Sequence, residues 1–168
     1  MHNIIDDYDR KIDIECTVCF LLEGDSIYLA KKLTPDGDKK VGYGKYNGYG
    51  GKVEDESYLQ CAVREALEEG GIIIHHHDLD HRATIEFYFP HQPEKNQRVR
   101  AYLVRKWIGT PRRTDEMDHP KIFPIASLPL DEMFKSDRIW LPEILSGKKI
   151  EKGFFVWNPD MSVNHYRI

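Results

Sequence analysis

The sequence predicts an α+β fold built on a mixed β-sheet. Short runs rich in β-branched and aromatic residues lie on both sides of one long amphipathic helix, residues 57–71. A shorter helical segment follows near the C-terminal end. No succession of strand–helix–strand units occurs, so the pattern does not indicate a doubly wound parallel sheet. The length of 168 residues predicts one domain, residues 1–168, in which polar residues 1–11 form a loose N-terminal lead.

The strands are predicted from composition and turn signals. Residues 14–22 are apolar on both faces, as in a central strand, and Gly24-Asp25 turns the chain into a second strand at residues 26–33. Further strands are predicted at residues 84–89, 98–107, 121–125 and 153–157, and helical turns at residues 130–134 and 141–146, with Pro142 in the first turn of the second one.

The long helix carries start and stop signals. Ser57 and Gln60 form a capping box, in which each side chain binds the other residue's backbone N–H. Gly70-Gly71 supplies the left-handed residue that commonly ends a helix. Apolar residues at three- and four-residue steps predict the buried stripe. Its members are Leu59, Ala62, Val63, Ala66 and Leu67.

The same helix concentrates negative charge. Glu65 and Glu69 are four residues apart and share one face, with Glu68 beside them. Like charges at this spacing repel, and a divalent cation such as Mg²⁺ or Mn²⁺ would turn that repulsion into attraction. A solvated acidic face, with Arg64 and Glu68 as an ordinary ion pair, is the alternative.

Two stretches with aromatic residues have competing interpretations. Glycines and aromatic residues alternate over residues 42–49, which indicates either a backbone that passes close to a flat or anionic group or a simple glycine-rich turn. Phe87 and Phe89 alternate along a strand on the face of Ile85, and this pattern predicts that both rings belong to the hydrophobic core.

Composition excludes several classes of protein. With 24 basic and 28 acidic residues, the net charge of −4 argues against a surface that coats nucleic acid. No apolar run is long enough to span a membrane, and no signal-peptide pattern opens the chain. The three cysteines, Cys16, Cys19 and Cys61, form no disulfide framework, which predicts a reducing cytoplasm. The histidines at 75–77 and His81 are predicted to be structural or solvated, because consecutive side chains point apart.

A longer pattern connects the loop, the helix and the turn over residues 50–72. It contains, in order, Gly50, five residues, Glu56, seven residues, Arg64-Glu65-Ala66, one residue, Glu68-Glu69, one residue and Gly71-Ile72. This pattern resembles the signature of the Nudix hydrolases, and only Ala66 is small for its aliphatic position. Segments 47–53, 114–117 and 129–142 extend the similarity to MutT-type members, above all to the mammalian 8-oxo-dGTP diphosphatase branch.

The resemblance implies a fold, a reaction and a set of functional residues. The fold is an αβα sandwich, and the reaction is Mg²⁺-dependent hydrolysis of a nucleoside triphosphate to a monophosphate and pyrophosphate. In this family pattern the metal is bound by four glutamates and one carbonyl: Glu65, Glu68, Glu69, Glu116 and the carbonyl of Gly50. Glu56 supports these ligands, and Arg64 orients the glutamates. The substrate is bound by Asn47, Asp137, Phe134, Lys52, Thr17 and Lys32. Glu68 and Glu116 are both candidates for the general base.

Base choice depends on Asn47 and Asp137. An ionised carboxylate only accepts hydrogen bonds, so a charged Asp137 suits the two adjacent donors of guanine or 8-oxoguanine better than adenine. Ser136 stands where the family branch has a second aspartate, and Phe134 stands where it has tryptophan. We expect a guanine-type substrate to be preferred by about 10- to 1000-fold at neutral pH. The alternative is that Asp137 only caps a short helix.

Other functions remain open at this point. Within the enzyme class, ADP-ribose or dinucleoside polyphosphates are alternative substrates. A nucleotide-sensing module without turnover and a structural partner protein are alternatives from other classes, although neither needs the complete set of glutamates. We expect a monomer that binds a small-molecule nucleotide and neither nucleic acid nor membrane.

Overall fold

A computed structural model describes residues 8–33 and 42–168. Within these ranges nine strands form one sheet, and two α-helices flank it. The strands are β1 (Ile14–Glu23), β2 (Ser26–Lys31), β3 (Tyr46–Asn47), β4 (Tyr49–Lys52), β5 (Asp80–Tyr88), β6 (Gln97–Val104), β7 (Lys121–Pro124), β8 (Ile150–Trp157) and β9 (Val163–Arg167). The helices are α1 (Tyr58–Gly70) and α2 (Asp137–Leu145).

The sheet is mixed, as the sequence predicts. Its order is β3-β2-β1-β6-β5-β8-β9, with β4 paired to β1 and β7 paired to β2. The β1–β6 and β5–β8 pairs are parallel and the other pairs are antiparallel. Strand β1 pairs with β2, β4 and β6, which confirms its prediction as a central strand.

The two helices cover opposite faces of the sheet. On one face Phe20 of β1 packs with α2, and its ring centroid lies 5.9 Å from that of Trp140. On the other face Cys19 packs with Ala62 and Ala66 of α1. Because the side chains of β1 alternate between two apolar cores, the sheet is buried on both sides. The expected α+β class and αβα sandwich are confirmed.

Helix α1 begins and ends as predicted but buries a different face. Ser57 Oγ accepts from Gln60 N–H at 3.1 Å, and Gly71 ends the helix with φ 67°. The predicted stripe is wrong in part, because Leu67 is 50% exposed and Leu59 is also exposed, whereas Cys61, Glu65 and Glu69 are buried. The face of α1 that packs on the sheet is therefore rotated away from the predicted stripe, and small residues explain this. A Cβ on Gly70 would lie 2.7 Å from Tyr49 Cζ, so the helix lies tightly on β4.

One helix and three strands differ from the prediction. Helix α2 starts at Asp137, four residues earlier than predicted, so Pro142 lies in its second turn and not its first. Pro142 has no N–H to donate to the carbonyl of Arg138, which is an exposed residue. Strands β3, β4 and β9 were not predicted, because the first two are short and next to glycines and the third is a polar strand at the edge of the sheet.

The described part of the N-terminal lead is fastened to the domain. The buried Asn96 side chain donates to the carbonyls of Asp9 and Lys11, and it accepts from the N–H of Phe89. The rest of the predicted lead, residues 1–7, and residues 34–41 lie outside the described residues. Within the described chain, neither helix has the length and the apolar character needed to cross a bilayer.

Candidate metal and nucleotide site

Three carboxylates from two separate parts of the chain meet beside β4. Glu65 and Glu69 come from α1, and Glu116 comes from the loop between β6 and β7. One oxygen of each lies within 4.8 Å of the others. The structure therefore brings Glu116 next to the helix glutamates, where the family resemblance places it. Glu68 does not join this cluster; its side chain is 48% exposed and contacts Arg64.

Burial changes the proton affinity of the cluster. Desolvation raises the pKa of Glu69 to about 8, and the negative charges of Glu65 and Glu116 act in the same direction. The charge of Lys32 and a 3.3 Å hydrogen bond from Gly50 N–H oppose this rise in pKa. Desolvation also raises the pKa of Glu65. Converging, partly desolvated carboxylates are a donor set that fits a hard divalent cation such as Mg²⁺ or Mn²⁺.

Arg64 joins four parts of the motif. Its Nη1 donates to Glu65 Oε1 at 2.9 Å and to Glu68 Oε2 at 3.2 Å. Its Nη2 donates to Glu56 Oε1 at 2.6 Å and to the Lys52 carbonyl at 3.1 Å. The bond from Arg64 keeps the pKa of Glu56 below its usual value, so Glu56 stays charged and holds the guanidinium in place. These contacts suit the predicted orienting role of Arg64.

A cavity of about 430 Å³ extends from the acidic cluster into an aromatic pocket. Gly50, Glu69 and Lys32 line it at the cluster. The residues expected to bind substrate all line the same cavity: Asn47, Asp137, Phe134, Lys52, Thr17 and Lys32. Sequence reasoning thus selected residues from distant segments that the fold brings into one cavity.

The aromatic wall of this cavity was not predicted. The Trp157 ring stacks with Phe87 at 6.3 Å and with Phe89 at 6.2 Å between centroids, and all three residues line the cavity. The assignment of Phe87 and Phe89 to the core alone is therefore wrong. Met161, Gln97 and Lys95 were also missed as lining residues. Aromatic residues at the ends of two predicted strands, residues 84–89 and 153–157, were the available sign of this wall. The sequence does not reveal, however, that the corresponding strands β5 and β8 are neighbours.

Two polar side chains lie in the aromatic part of the cavity. Asn47 accepts from Gly48 N–H through Oδ1 at 2.8 Å, and its amide NH₂ has no hydrogen-bond partner in the described part of the chain. Asp137 is buried and accepts from Phe134 N–H and from the Trp140 indole, both at 3.1 Å. Asp137 therefore does not cap α2, and that alternative is wrong.

Burial has a large effect on Asp137. Desolvation raises its pKa to about 7, although both hydrogen bonds and the nearby Lys45 favour the charged form. Both protonation states of Asp137 are therefore populated at neutral pH. Its neighbour Ser136 is also buried and lines the cavity. Thr17, which is buried too, has its hydroxyl 3.3 Å from Cys61 Sγ.

Comparison with known proteins decides the family. The model of the NUDIX domain matches residues 15–144. The chain belongs to the Nudix family. The Nudix chain is 35% identical over 133 residues to the oxidized purine nucleoside triphosphate hydrolase of Danio rerio, covering 77% of this chain and 82% of that protein. It is 35% identical over 117 residues to the Mus musculus protein of the same name, covering 67% and 72% of the two chains.

Solved structures agree with the fold of this Nudix chain. A MutT mutator protein from Bacillus halodurans superposes with a TM-score of 0.73 at 19% identity, covering 92% of this chain and 96% of that one. A MutT NUDIX hydrolase from Burkholderia pseudomallei gives a TM-score of 0.65 at 19% identity, covering 78% and 97%. The chain is a Nudix enzyme, a pyrophosphohydrolase.

Proposed function

We propose that this Nudix enzyme hydrolyses an oxidised purine nucleoside triphosphate of the 8-oxo-dGTP type to a monophosphate and pyrophosphate, with Mg²⁺ as its metal and Mn²⁺ as a substitute. One observation carries the proposal: a single cavity connects the carboxylate cluster with a pocket that has both aromatic and polar walls. A triphosphate and a purine base need these two environments at the two ends of one site. The names of the two curated relatives agree with this substrate class.

The metal would be held by Glu65, Glu69 and Glu116, with Glu68 and the Gly50 carbonyl as further ligands suggested by the family pattern. A bound Mg²⁺ supplies charge neutralisation at the phosphoryl oxygens and makes a water molecule more acidic. Before it binds, burial and mutual repulsion favour the protonated forms of Glu65 and Glu69, so metal and protons compete for the same oxygens.

The chain's own groups complete the phosphate end. Lys32 lines the cavity near Glu69 and provides a positive charge for the phosphates. Arg64 holds the Glu65 carboxylate at 2.9 Å, which fixes its direction. The attacking water must lose a proton to a carboxylate, and Glu116 and Glu68 are the two candidates. Glu116 lies in the cluster, whereas Glu68 lies on the exposed side of Arg64.

The base end would select purines by hydrogen bonding. The Asn47 NH₂, which has no partner among the described residues, donates to a base oxygen or nitrogen, and ionised Asp137 accepts from the adjacent N–H groups of a guanine-type base. Because the pKa of Asp137 is about 7, both of its protonation states are populated at neutral pH. Protonated Asp137 donates to the N1 acceptor of adenine, so the preference for guanine over adenine should depend on pH.

The proposal is tested by pyrophosphate release from a panel of nucleotides at saturating Mg²⁺. The panel contains 8-oxo-dGTP, 8-oxo-dATP, dGTP, ADP-ribose and a dinucleoside polyphosphate. We expect the highest kcat/KM for 8-oxo-dGTP and at least tenfold lower values for the last two substrates. Faster turnover of ADP-ribose or of the dinucleoside polyphosphate would assign the enzyme to another Nudix substrate class. Tight nucleotide binding without turnover would indicate a sensing module.

We also propose that the enzyme acts as a monomer on this small-molecule substrate in the cytoplasm. Cys16, Cys19 and Cys61 are all free and buried, which suits a reducing compartment. Light scattering coupled to size-exclusion chromatography tests the oligomeric state, for which we expect a mass near 19.7 kDa.

A further inference from the structure

The loop that carries Glu116 is attached to the end of α1. A helix leaves its last carbonyls without intrahelical partners. Two of these carbonyls are satisfied by the loop: Arg112 N–H donates to the Gly70 carbonyl at 3.0 Å, and the Thr114 hydroxyl donates to the Glu69 carbonyl at 2.9 Å. The second bond ends on the backbone of a residue whose side chain belongs to the acidic cluster.

The Thr114 hydroxyl uses its complete hydrogen-bonding capacity. Besides donating to Glu69, Oγ1 accepts from the N–H groups of Glu116 and Met117, each at 3.3 Å. The Thr114 backbone N–H closes the same turn by donating to the Met117 carbonyl at 3.0 Å. One hydroxyl therefore connects the main chains of Glu69 and Glu116, which contribute carboxylates to the cluster from different elements.

The loop needs such a connection, because electrostatics acts against it. Glu116 is an exposed loop residue, and its carboxylate lies within 4.8 Å of two other carboxylates that repel it. Its carbonyl is held on the other side by Leu33 N–H at 2.8 Å. That bond fixes the loop relative to the end of β2, but it does not fix the distance between Glu116 and α1. Thr114 is the described residue whose side chain spans that distance.

We propose that Thr114 is a positioning residue that holds Glu116 beside Glu69, so that the three carboxylates are in place before a divalent cation binds. The proposal rests on the proposed metal site. Thr114 itself offers the cation nothing, since its hydroxyl is already engaged three times. Residues that orient metal ligands typically change metal affinity by about 10- to 100-fold when they are replaced.

The test measures Mn²⁺ binding to the nucleotide-free protein by electron paramagnetic resonance of the free ion. Thr114→Val keeps the shape of the side chain and removes the hydroxyl, and we expect its Kd for Mn²⁺ to be about 10- to 100-fold higher than in wild type. Thr114→Ser restores the hydroxyl and should lie within about threefold of wild type. Thr110→Val is the matched control, because the exposed Thr110 forms no side-chain hydrogen bond with any described residue. An unchanged Kd in Thr114→Val, or equal losses in Thr114→Val and Thr114→Ser, would overturn the proposal.

A double-mutant cycle separates positioning from general destabilisation. In a Glu116→Ala background, Thr114→Val should weaken Mn²⁺ binding by no more than about twofold, because the residue through which it acts is gone. A second full loss of affinity there would contradict the proposed role.

A measurement on wild type makes the test independent of whether any variant folds. In metal-free protein the amides of Glu116 and Met117 should exchange with solvent at least about tenfold more slowly than that of Asp115, whose N–H has no described partner. Equal and fast exchange of all three would contradict a preformed loop. These readouts use no substrate, so failure of the nucleotide panel and failure of the Thr114 proposal are distinguishable.

Discussion

The main chain of Gly51 lies directly against the carboxylate of Glu65. A Cβ at Gly51 would be 2.3 Å from Glu65 Oε1, well inside van der Waals contact. On its other side the same oxygen accepts from Arg64 Nη1 at 2.9 Å. Glu65 is thus held between a backbone without a side chain and a fixed guanidinium. This contact gives one physical reason for glycine at position 51.

Gly51→Ala should therefore impair catalysis more than folding. The added methyl group forces the Glu65 carboxylate away from the cluster, and a displacement of about 1 Å can cost 100-fold in rate. We expect kcat/KM for 8-oxo-dGTP to fall about 10- to 100-fold at saturating Mg²⁺. In a Glu65→Ala background the same substitution has nothing to displace and should change kcat/KM by less than about threefold. A full additional loss in that background would indicate a general defect of β4.

Glu69→Gln separates the chemistry of the cluster from its stability. Glutamine keeps the size of the side chain and removes a charged oxygen, so turnover should fall by about 100-fold or more even at saturating Mg²⁺. In EDTA at pH 7 the variant should be more stable than wild type, because the unfolded wild-type chain releases the Glu69 proton at this pH whereas the folded protein largely keeps it, and glutamine has no proton to release. Glu143→Gln, at a partly exposed glutamate of α2, is the control and should retain wild-type turnover. A near-normal rate for Glu69→Gln would remove Glu69 from the metal site.

The metal-free protein should lose stability as pH rises. The unfolded state releases the Glu69 proton near pH 4.5, and the folded state releases it near pH 8. Between these values the folded state binds more protons, so the free energy of unfolding decreases with increasing pH. Chemical denaturation in EDTA at several pH values measures this slope, which should be shallower in Glu69→Gln. Mg²⁺ should stabilise wild type more at pH 8 than at pH 6, since protons compete less there. Equal slopes in both proteins would contradict the raised pKa of Glu69.

Local signals in the sequence were sufficient for α1 and its motif. The capping box, the terminal glycine and the spacing of Glu65 and Glu69 are all set within 16 residues and appear in the structure as predicted. The buried face of α1 was not predictable in the same way. Hydrophobic periodicity assumes that apolar residues are buried, whereas here Leu67 is exposed and two glutamates line the interior beside β4.

Contacts between distant elements set the limits of sequence reasoning at the site. The position of Glu116 depends on hydrogen bonds from the loop to the end of α1 and to β2, and no local pattern encodes them. The stack of Phe87 and Trp157 requires β5 and β8 to be neighbours, although these two residues are 70 positions apart in the sequence. The raised pKa of Asp137 was not predictable for a related reason, because its burial arises from packing among α2, the residues before it and the sheet.

Base preference should change with pH through Asp137. Ionised Asp137 accepts from the N1 and N2 protons of 8-oxoguanine, whereas the protonated form donates to the N1 acceptor of 8-oxoadenine. With a pKa of about 7, the carboxyl group is mostly protonated at pH 6 and mostly ionised at pH 8.5. The ratio of kcat/KM for 8-oxo-dGTP to that for 8-oxo-dATP should therefore rise about tenfold or more over this range, since one mismatched buried hydrogen bond costs about 1–3 kcal/mol.

The ratio of the two substrates cancels the titration of groups that act on both, including Glu69 and the general base. Asp137→Asn carries a permanent donor and acceptor, so its ratio should stay near the wild-type value at pH 6 and should not change with pH. Ser136→Ala, at the buried neighbour that does not titrate in this range, is the matched control and should keep the rise. A constant ratio in wild type, or a rise that persists in Asp137→Asn, would exclude Asp137 as the residue that reads the base, because the protonation of its carboxyl group would then have no effect on substrate choice.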